Sequence, residues 1–442
     1  MHSEEELLAL ANELLLPLHL EATECEVLQP LWADYGSISR LTISSRSTRS
    51  TNSPAPKTLI LKSITPPPVK GSSPSESHLR KLISYEVEQH FYTKLVPLLP
   101  ESTPVARCVA SATPLDSTSK QNITTILTDL REAFPIAAEE QRSELSTSQV
   151  HAALDWLANF HGFWSTRNAE LRSSRLRLPP LEEQAAGTFT KSPGVWLNGG
   201  YTYFATRQSE YKTLQEDSDS PWREVLCSPL PDPLSKKSIA ELVAAIIAPS
   251  RLSSIPNPTS PYETLLHGDV KSANLFTTPS PSSSASAAFF DFQYVGLGLG
   301  VCDLAKLFTC SVPMSMLIGS GDGSAPRLKG KQSKLEMREG ERRLLERYRQ
   351  TYEKVSGKAY PWEELERHWN CALVDWLRFQ AGWGFWGNTY WLEARVRFIL
   401  ADQEWTKWMQ RTAADTLEFV ALAREFETSE TQATMSDASL NS

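Results

Sequence analysis

The stretch YETLLHGDVKSANLF is followed, after a serine-rich interval, by AAFFDFQYVGLGLGVCDLAKLF, and both set acidic, amide and basic side chains between apolar runs. Such flanks mark strands, so the polar cores read as loops. The pattern predicts a strand, a loop displaying His267, Asp269, Lys271 and Asn274, a short second strand, and a third strand ending at Asp291. The serine-rich interval is then an enlarged hairpin turn. These residue types suit phosphoryl transfer from ATP, which requires Mg²⁺ to neutralise phosphates and a carboxylate to orient the acceptor hydroxyl. Asp269 can accept that hydroxyl's proton. Asn274 offers Mg²⁺ a hard carbonyl oxygen and Asp291 a charged one, while Lys271 can reach the transferring phosphoryl group as a point charge. The competing reading makes all of these turn formers. Two motifs in the right order, each bounded by apolar strands, weigh against it.

H-G-D-V-K-S-A-N followed by D-F-Q resembles the aminoglycoside phosphotransferase and choline kinase group, including its ecdysteroid-kinase-like branch. The resemblance implies an α+β, protein-kinase-like bilobal fold: a small N-terminal antiparallel sheet lobe with one main helix, and a larger, mostly helical C-terminal lobe. The D-x-K-x-x-N spacing looks closer to protein kinases, whereas D-F-Q at Asp291 to Gln293 looks like the small-molecule branch. The resemblance also implies ATP and Mg²⁺ as cofactors, Lys62 at the end of TLILKSI on the α- and β-phosphates, and Glu88 as its helix partner, with Glu86 competing. It implies a hinge at Leu127, Thr128, Asp129 and Leu130 whose backbone meets adenine. His267 and Asp303 become structural supports of the catalytic loop, and His161 a core residue. The phosphate-covering loop falls around WADYGSISRLTIS, where Gly36 stands alone and Ser37 and Ser39 are substitute donors.

The elements that must position these residues are legible in outline. RLTIS, TLILKSI and NITTILTDL read as strands, with a helical stretch HLRKLISYEVEQHFYTKLVPLL between the last two. From about Ser146 the pattern turns helical. The expected division is residues 1–130 for nucleotide binding, 131–427 for catalysis and acceptor binding, and a disordered tail at 428–442. Four stretches rich in Ser, Pro and Gly, namely SSRSTRSTNSPAPK, TPPPVKGSSPSES, TPSPSSSASA and GSGDGSAPRLKGKQSK, read as surface insertions. GLGLG at Gly296 to Gly300 misplaces the third glycine of a dinucleotide fingerprint and reads as a flexible segment.

With 442 residues, 40% hydrophobic, the chain can fill two cores. A formal charge of −8 without a long Lys/Arg run argues against a nucleic-acid partner. MHSEEELLALANELLLPLHL carries Glu4, Glu5 and Glu6 where a secretory signal is positive, so it reads as an amphipathic helix, and no later run is long enough to span a membrane. Six cysteines without a C-x-x-C pair fit a reducing, cytoplasmic setting. H-E-x-x-H is absent, which disfavours a hydrolytic metalloenzyme.

For the acceptor, Trp362, Trp369, Trp376, Trp383 and Tyr390 recur every seven residues and keep nearly one helix face. Gly382, Gly384 and Gly387 should break that helix and leave Trp383, Phe385 and Trp386 in a loop. Asp375, Trp376, Phe379, Trp383 and Trp386 are the expected acceptor pocket, suited to a cationic amine or a flat hydrophobic alcohol. The expected function is an ATP-dependent kinase of a small alcohol or amino alcohol; a protein kinase and a nucleotide-binding pseudokinase scaffold are the alternatives. Oligomeric state is not legible.

Overall fold

In a computed structural model, the described residues are 2–45, 56–67, 74–112, 123–138, 144–187, 193–230, 236–247, 260–279, 285–319 and 333–416. The proposed tail at 428–442 and most of the four insertions lie outside them. The chain forms two compact units that interleave in sequence. The first comprises Met1–Ala138, Pro179–Val195 and Asn274–Gln293, and the second Glu139–Leu178, Trp196–Ala273 and Tyr294–Ser442.

The first unit is built on a five-stranded antiparallel sheet: β1 (Leu20–Pro30), β2 (Gly36–Ser45), β3 (Thr58–Ile64), β4 (Cys108–Ala112) and β5 (Ile123–Thr128), in the order β1-β2-β3-β5-β4. Alternation along β3 sends Leu59 and Leu61 to one face, where Leu7, Ala11 and Leu15 of helix α1 (Glu4–Leu15) bury against them. Those three recur at i, i+4 and i+8, and full burial of a leucine is worth about 1.5–3 kcal/mol. The helix starts at a capping box in which Ser3 and Glu6 exchange side-chain and backbone hydrogen bonds. Lys62 and Ile64 face the other way, and Ile64 packs with Leu82 and Tyr85 of α2 (Glu76–His90).

Gly36 has a steric reason of its own. Its φ is +139°, and a Cβ would lie 1.9 Å from the Ser63 carbonyl oxygen on β3. The same unit holds a small sheet of β6 (Ile136–Ala137), β10 (Leu275–Thr277) and β11 (Ala287–Phe289), order β11-β10-β6. β10 and β11 pair antiparallel with Leu275 opposite Phe289, and Thr278 donates to Ser286 beyond them. The pairing thus brackets the serine-rich stretch, of which residues 280–284 lie outside the described residues.

The second unit is mostly helical. Helix α3 (Thr147–Ser165) begins at a Ser146/Gln149 capping box and packs on the Glu339–Ser356 helix. A short sheet of β7 (Leu176–Arg177), β8 (Val195–Trp196), β9 (Glu263–Leu266) and β12 (Gly296–Leu299) has the order β7-β8-β12-β9. Here one expectation fails: the GLGLG run is a buried strand, β12, paired antiparallel with β9. Its glycines serve close packing, since a Cβ on Gly298 would lie 2.6 Å from Leu266 Cδ1. The Trp362–Trp383 helix also runs further than expected. Gly382 does not end it; a Cβ there would meet the Glu210 carbonyl oxygen at 2.2 Å, so the glycine admits a neighbouring backbone, and Trp383 is the last helical residue. Trp369 and Trp376 are buried in the core, and Trp369 donates to the buried Glu341, which also pairs with Arg395.

Candidate active site

In the first unit, the isolated lysine of β3 meets its helix partner. Lys62 Nζ donates to Glu88 Oε2 at 2.5 Å and lies 3.6 Å from Asp291 Oδ1; Lys62 and Glu88 are buried. Glu88 follows Tyr85 by one helical turn, and the ammonium sits 5.6 Å from the Tyr85 ring. Burial opposes the ammonium, but Glu88 and Asp291 outweigh it and hold the Lys62 pKa above its usual value. Two carboxylates share that one ammonium. Burial, opposed by Lys62 and reinforced by the Asp291 charge, pushes Glu88 up to about 7.

Asp291 is the strained member. Its φ is +68°, a left-handed conformation that costs a non-glycine residue about 1–3 kcal/mol, and its Oδ1 is buried with no hydrogen-bond partner. The rest of D-F-Q fixes it. Phe292 is fully buried, stacked on Phe91 at 4.0 Å and edge-on to Tyr92 at 5.7 Å, where α2 passes into a π-helical turn over Phe91–Leu95. Gln293 accepts from Ser84 on α2 at 3.4 Å. Asn274 is buried, and its carbonyl accepts from the Phe290 amide at 3.1 Å, so the β10–β11 register brings Asn274 and Asp291 to the same end of the hairpin. A carboxylate whose Oδ1 meets only the Lys62 ammonium, 3.6 Å away, and an amide at the same end of the hairpin offer hard oxygens, which fits Mg²⁺. Among the described residues no three His, Cys, Asp or Glu side chains cluster as a metal cage, so such an ion would draw further ligands from phosphate or water.

The remaining nucleotide candidates are already engaged within this unit. Gly36 and Ser37 lie in β2, paired with Ile64 and Ser63 of β3. Leu127 and Thr128 lie in β5, the Thr128 amide donates to the Arg107 carbonyl, and the Asp129 and Leu130 carbonyls accept from the turn that follows. The Asp129 carboxylate takes Arg40, Thr58 and Arg131. Adenine contacts at these positions would have to use other backbone groups.

In the second unit, the loop after β9 carries Asp269 and Lys271. Lys271 Nζ donates to Asp269 Oδ2 at 2.9 Å. Burial acts against the charge on Asp269, yet the Lys271 ammonium, with smaller contributions from His267 and Lys306, holds its carboxyl below the ordinary value. The loop hangs on Asp303, whose Oδ2 accepts from the His267 amide at 2.7 Å and whose Oδ1 accepts from the Gly268 amide at 3.0 Å. Gly268 has φ +88°, and a Cβ there would lie 2.2 Å from the Tyr294 carbonyl oxygen. His267 Nδ1 accepts from the Asp269 amide at 3.2 Å, and Lys306 donates to the Gly268 carbonyl at 2.7 Å. His161 is more than packing: its Nε2 lies 3.2 Å from Asp303 and its Nδ1 2.9 Å from the Tyr348 hydroxyl.

Of the acceptor candidates, Trp376 and Phe379 are buried, Trp386 is half-buried and Trp383 is exposed. They do form one aromatic group: Phe379 lies 5.8 Å from Trp376 and 6.0 Å from both Trp383 and Trp386. Asp375 accepts from the buried Arg378 at 2.8 Å. Tyr201 joins the group at 5.6 Å from Phe379. Burial first, then the Asp269 charge, raises the Tyr201 phenol well above its usual pKa. Burial likewise pushes the Cys310 thiol up to about 12, where Trp386 opposes and Asp269 adds. Tyr201, Arg207, Lys306 and Tyr348 were not singled out from the sequence. For Tyr201 and Arg207 the available signal was the aromatic-rich VWLNGGYTYFATRQSEY segment; for Lys306, it was the lone lysine in CDLAKLF.

All six cysteines are free, and no helix of the described residues is long and apolar enough to cross a membrane. Similar solved structures include a microcompartment-associated aminopropanol kinase, with 12% identity, TM-score 0.35, and coverage of 95% of this chain and 98% of that one. An aminoglycoside-3'-phosphotransferase of type VIII shows 13% identity, TM-score 0.33, and coverage of 81% and 93%. Choline kinase from Cryptosporidium parvum Iowa II shows 11% identity, TM-score 0.36, and coverage of 92% and 91%. No curated protein sequence matches the chain. The family model for the ecdysteroid kinase-like family matches residues 34–322, well over half of the 442, and the chain belongs to that family.

Proposed function

We propose that this protein is an ATP-dependent kinase of a small molecule, transferring the γ-phosphoryl group to a hydroxyl. The observation that carries the reading is the buried Lys62 ammonium, 2.5 Å from Glu88 and 3.6 Å from Asp291. A cation held by one carboxylate on each side is fixed in place for phosphate oxygens, without a rotamer search on binding. Asp291 and Asn274 would hold Mg²⁺, which when bound neutralises phosphate charge during transfer.

Asp269 takes the acceptor hydroxyl as a hydrogen-bond donor and receives its proton as the new P–O bond forms and the bond to ADP breaks. Its lowered pKa makes it a weak base at neutral pH, so orienting the hydroxyl is its larger contribution and proton transfer comes late. Lys271, on Asp269 Oδ2, is placed to meet the transferring group as well. D-F-Q in place of D-F-G, with no A-P-E segment after it, supports a small-molecule acceptor over a protein. The free cysteines accord with a cytoplasmic setting, which belongs to the same proposal.

A screen of alcohols and amino alcohols with ATP and Mg²⁺, reading ADP release, tests this. Acceptor-dependent release that disappears in Asp269→Asn and Asp291→Ala is expected. Phosphorylation of casein or a peptide library without turnover of any metabolite would overturn the choice of acceptor.

A further inference from the structure

Aromatic faces beside a carboxylate form a cation site, because ring quadrupoles and the carboxylate both favour positive charge. In the aromatic group of the second unit, both halves of such a site are used by the protein's own cations. Arg207 is only 4% exposed. Its guanidinium carbon lies 5.6 Å from the ring centroids of Tyr201 and Phe379 and 5.8 Å from that of Trp383. It is held there by the Tyr201 carbonyl, which accepts from Nε at 2.5 Å, and by Glu210, which accepts from Nη1 at 3.1 Å. The expected carboxylate, Asp375, is taken by Arg378, itself 1% exposed and 5.0 Å from the Phe204 ring. On the side of the base, Lys306 lies 5.5 Å from the Tyr201 ring while donating to the carbonyl of Gly268, the residue before Asp269.

A cationic acceptor approaching Asp269 past these rings meets faces already turned to Arg207, and fixed positive charges at Lys306 and Lys271. It loses hydration, and the carboxylates of Glu210, Asp375 and Asp269 are already held by Arg207, Arg378 and Lys271. An uncharged acceptor keeps the apolar contact and escapes the repulsion. Trp383, 62% exposed, leaves apolar surface open beside Arg207 for its body.

We infer that Arg207 is a specificity-determining residue that fills the aromatic cation site from within and makes this protein select an uncharged alcohol over an ammonium alcohol. The inference rests on the phosphotransfer reading above and narrows it. Choline and its carbon isostere 3,3-dimethylbutan-1-ol differ in charge and hardly in shape, so they isolate the effect. In the wild-type protein, kcat/KM for the isostere should exceed that for choline by about tenfold or more. Arg207→Met alone would leave Glu210 buried without its partner, so the informative variant is the double substitution Arg207→Met with Glu210→Gln, in which the ratio should fall toward one. Choline matching or beating the isostere in the wild type overturns the inference. So does an unchanged ratio in a folded double variant. If neither compound raises ADP release above the Asp269→Asn background, phosphotransfer to acceptors of this size fails, and a tryptophan-fluorescence titration of the wild type decides the selectivity separately. Tighter binding of the isostere supports it; equal or tighter binding of choline, or no binding of either, removes it.

Discussion

Nε2 of His161 lies 3.2 Å from Oδ2 of Asp303, the oxygen that also accepts the His267 amide at 2.7 Å. A histidine on α3 and an aspartate on the Val301–Cys310 helix thus fix the loop that carries Asp269. Burial opposes the Asp303 charge, but the His161 hydrogen bond and neighbouring cations hold its pKa below the usual value.

Asp303→Ala therefore leaves two backbone amides and Nε2 of His161 without their carboxylate partner inside the protein. A loss of about 3–5 kcal/mol in denaturant unfolding is expected. A folded Asp303→Ala protein with undiminished stability would show that the loop is held by something else.

How much of this was legible follows from what each residue needed. Asp269, Asn274 and Asp291 stand in polar cores between apolar strands, so their loops could be placed by pattern; Lys62 stood out as a lysine in an apolar strand. The edge strands β1 and β4 were missed. LEATECEVLQP is exposed along most of its length and crowded with glutamates, and CVASA is short and built of small residues, so neither shows the alternation that marks a half-buried strand. Arg207 and Tyr348 escaped because their roles arise from tertiary neighbours more than a hundred residues away in sequence: Phe379 and Trp383 for Arg207, His161 for Tyr348. Gly382 was misread as a helix breaker since its reason, the Glu210 backbone, is also remote.

Glu88 ties stability to pH. Its folded pKa of about 7 is above its ordinary 4.5, so the folded state binds a proton that the unfolded chain releases. Its contribution is therefore full below about pH 4.5 and lost as pH rises through about 7. Glu88→Gln should flatten this part of the stability profile, measured by urea midpoints from pH 4.5 to 8, and weaken nucleotide binding by loosening Lys62. An unchanged slope would mean that Glu88 is ionised throughout.

Phe292 anchors the strained Asp291 by stacking on Phe91 at 4.0 Å. Phe292→Ala should cost about 3–5 kcal/mol by leaving a cavity. It should also lower Mg²⁺-dependent ATP affinity, since Asp291 would relax from its left-handed conformation. Calorimetric titration of nucleotide with and without Mg²⁺ reads the second effect, and equal losses in both conditions would detach Phe292 from the metal role.

Asp269 should remain ionised across neutral pH, because its pKa is held below the ordinary 3.8. The acid limb of kcat then owes nothing to Asp269 above about pH 4. Replacing Lys271 with Met removes the charge that holds it there, and the limb should move to higher pH. A limb that stays in place in Lys271→Met would separate the two residues.

The most direct test of the account is acceptor-dependent ADP release with Mg²⁺ and ATP, comparing wild type with Asp269→Asn. The wild type should phosphorylate at least one small alcohol, and the variant should bind ATP equally well while losing about 10²–10⁴-fold in kcat. Equal turnover in both proteins would contradict the assignment of Asp269, and ATP binding with no turnover of any acceptor by the wild type would contradict the kinase itself.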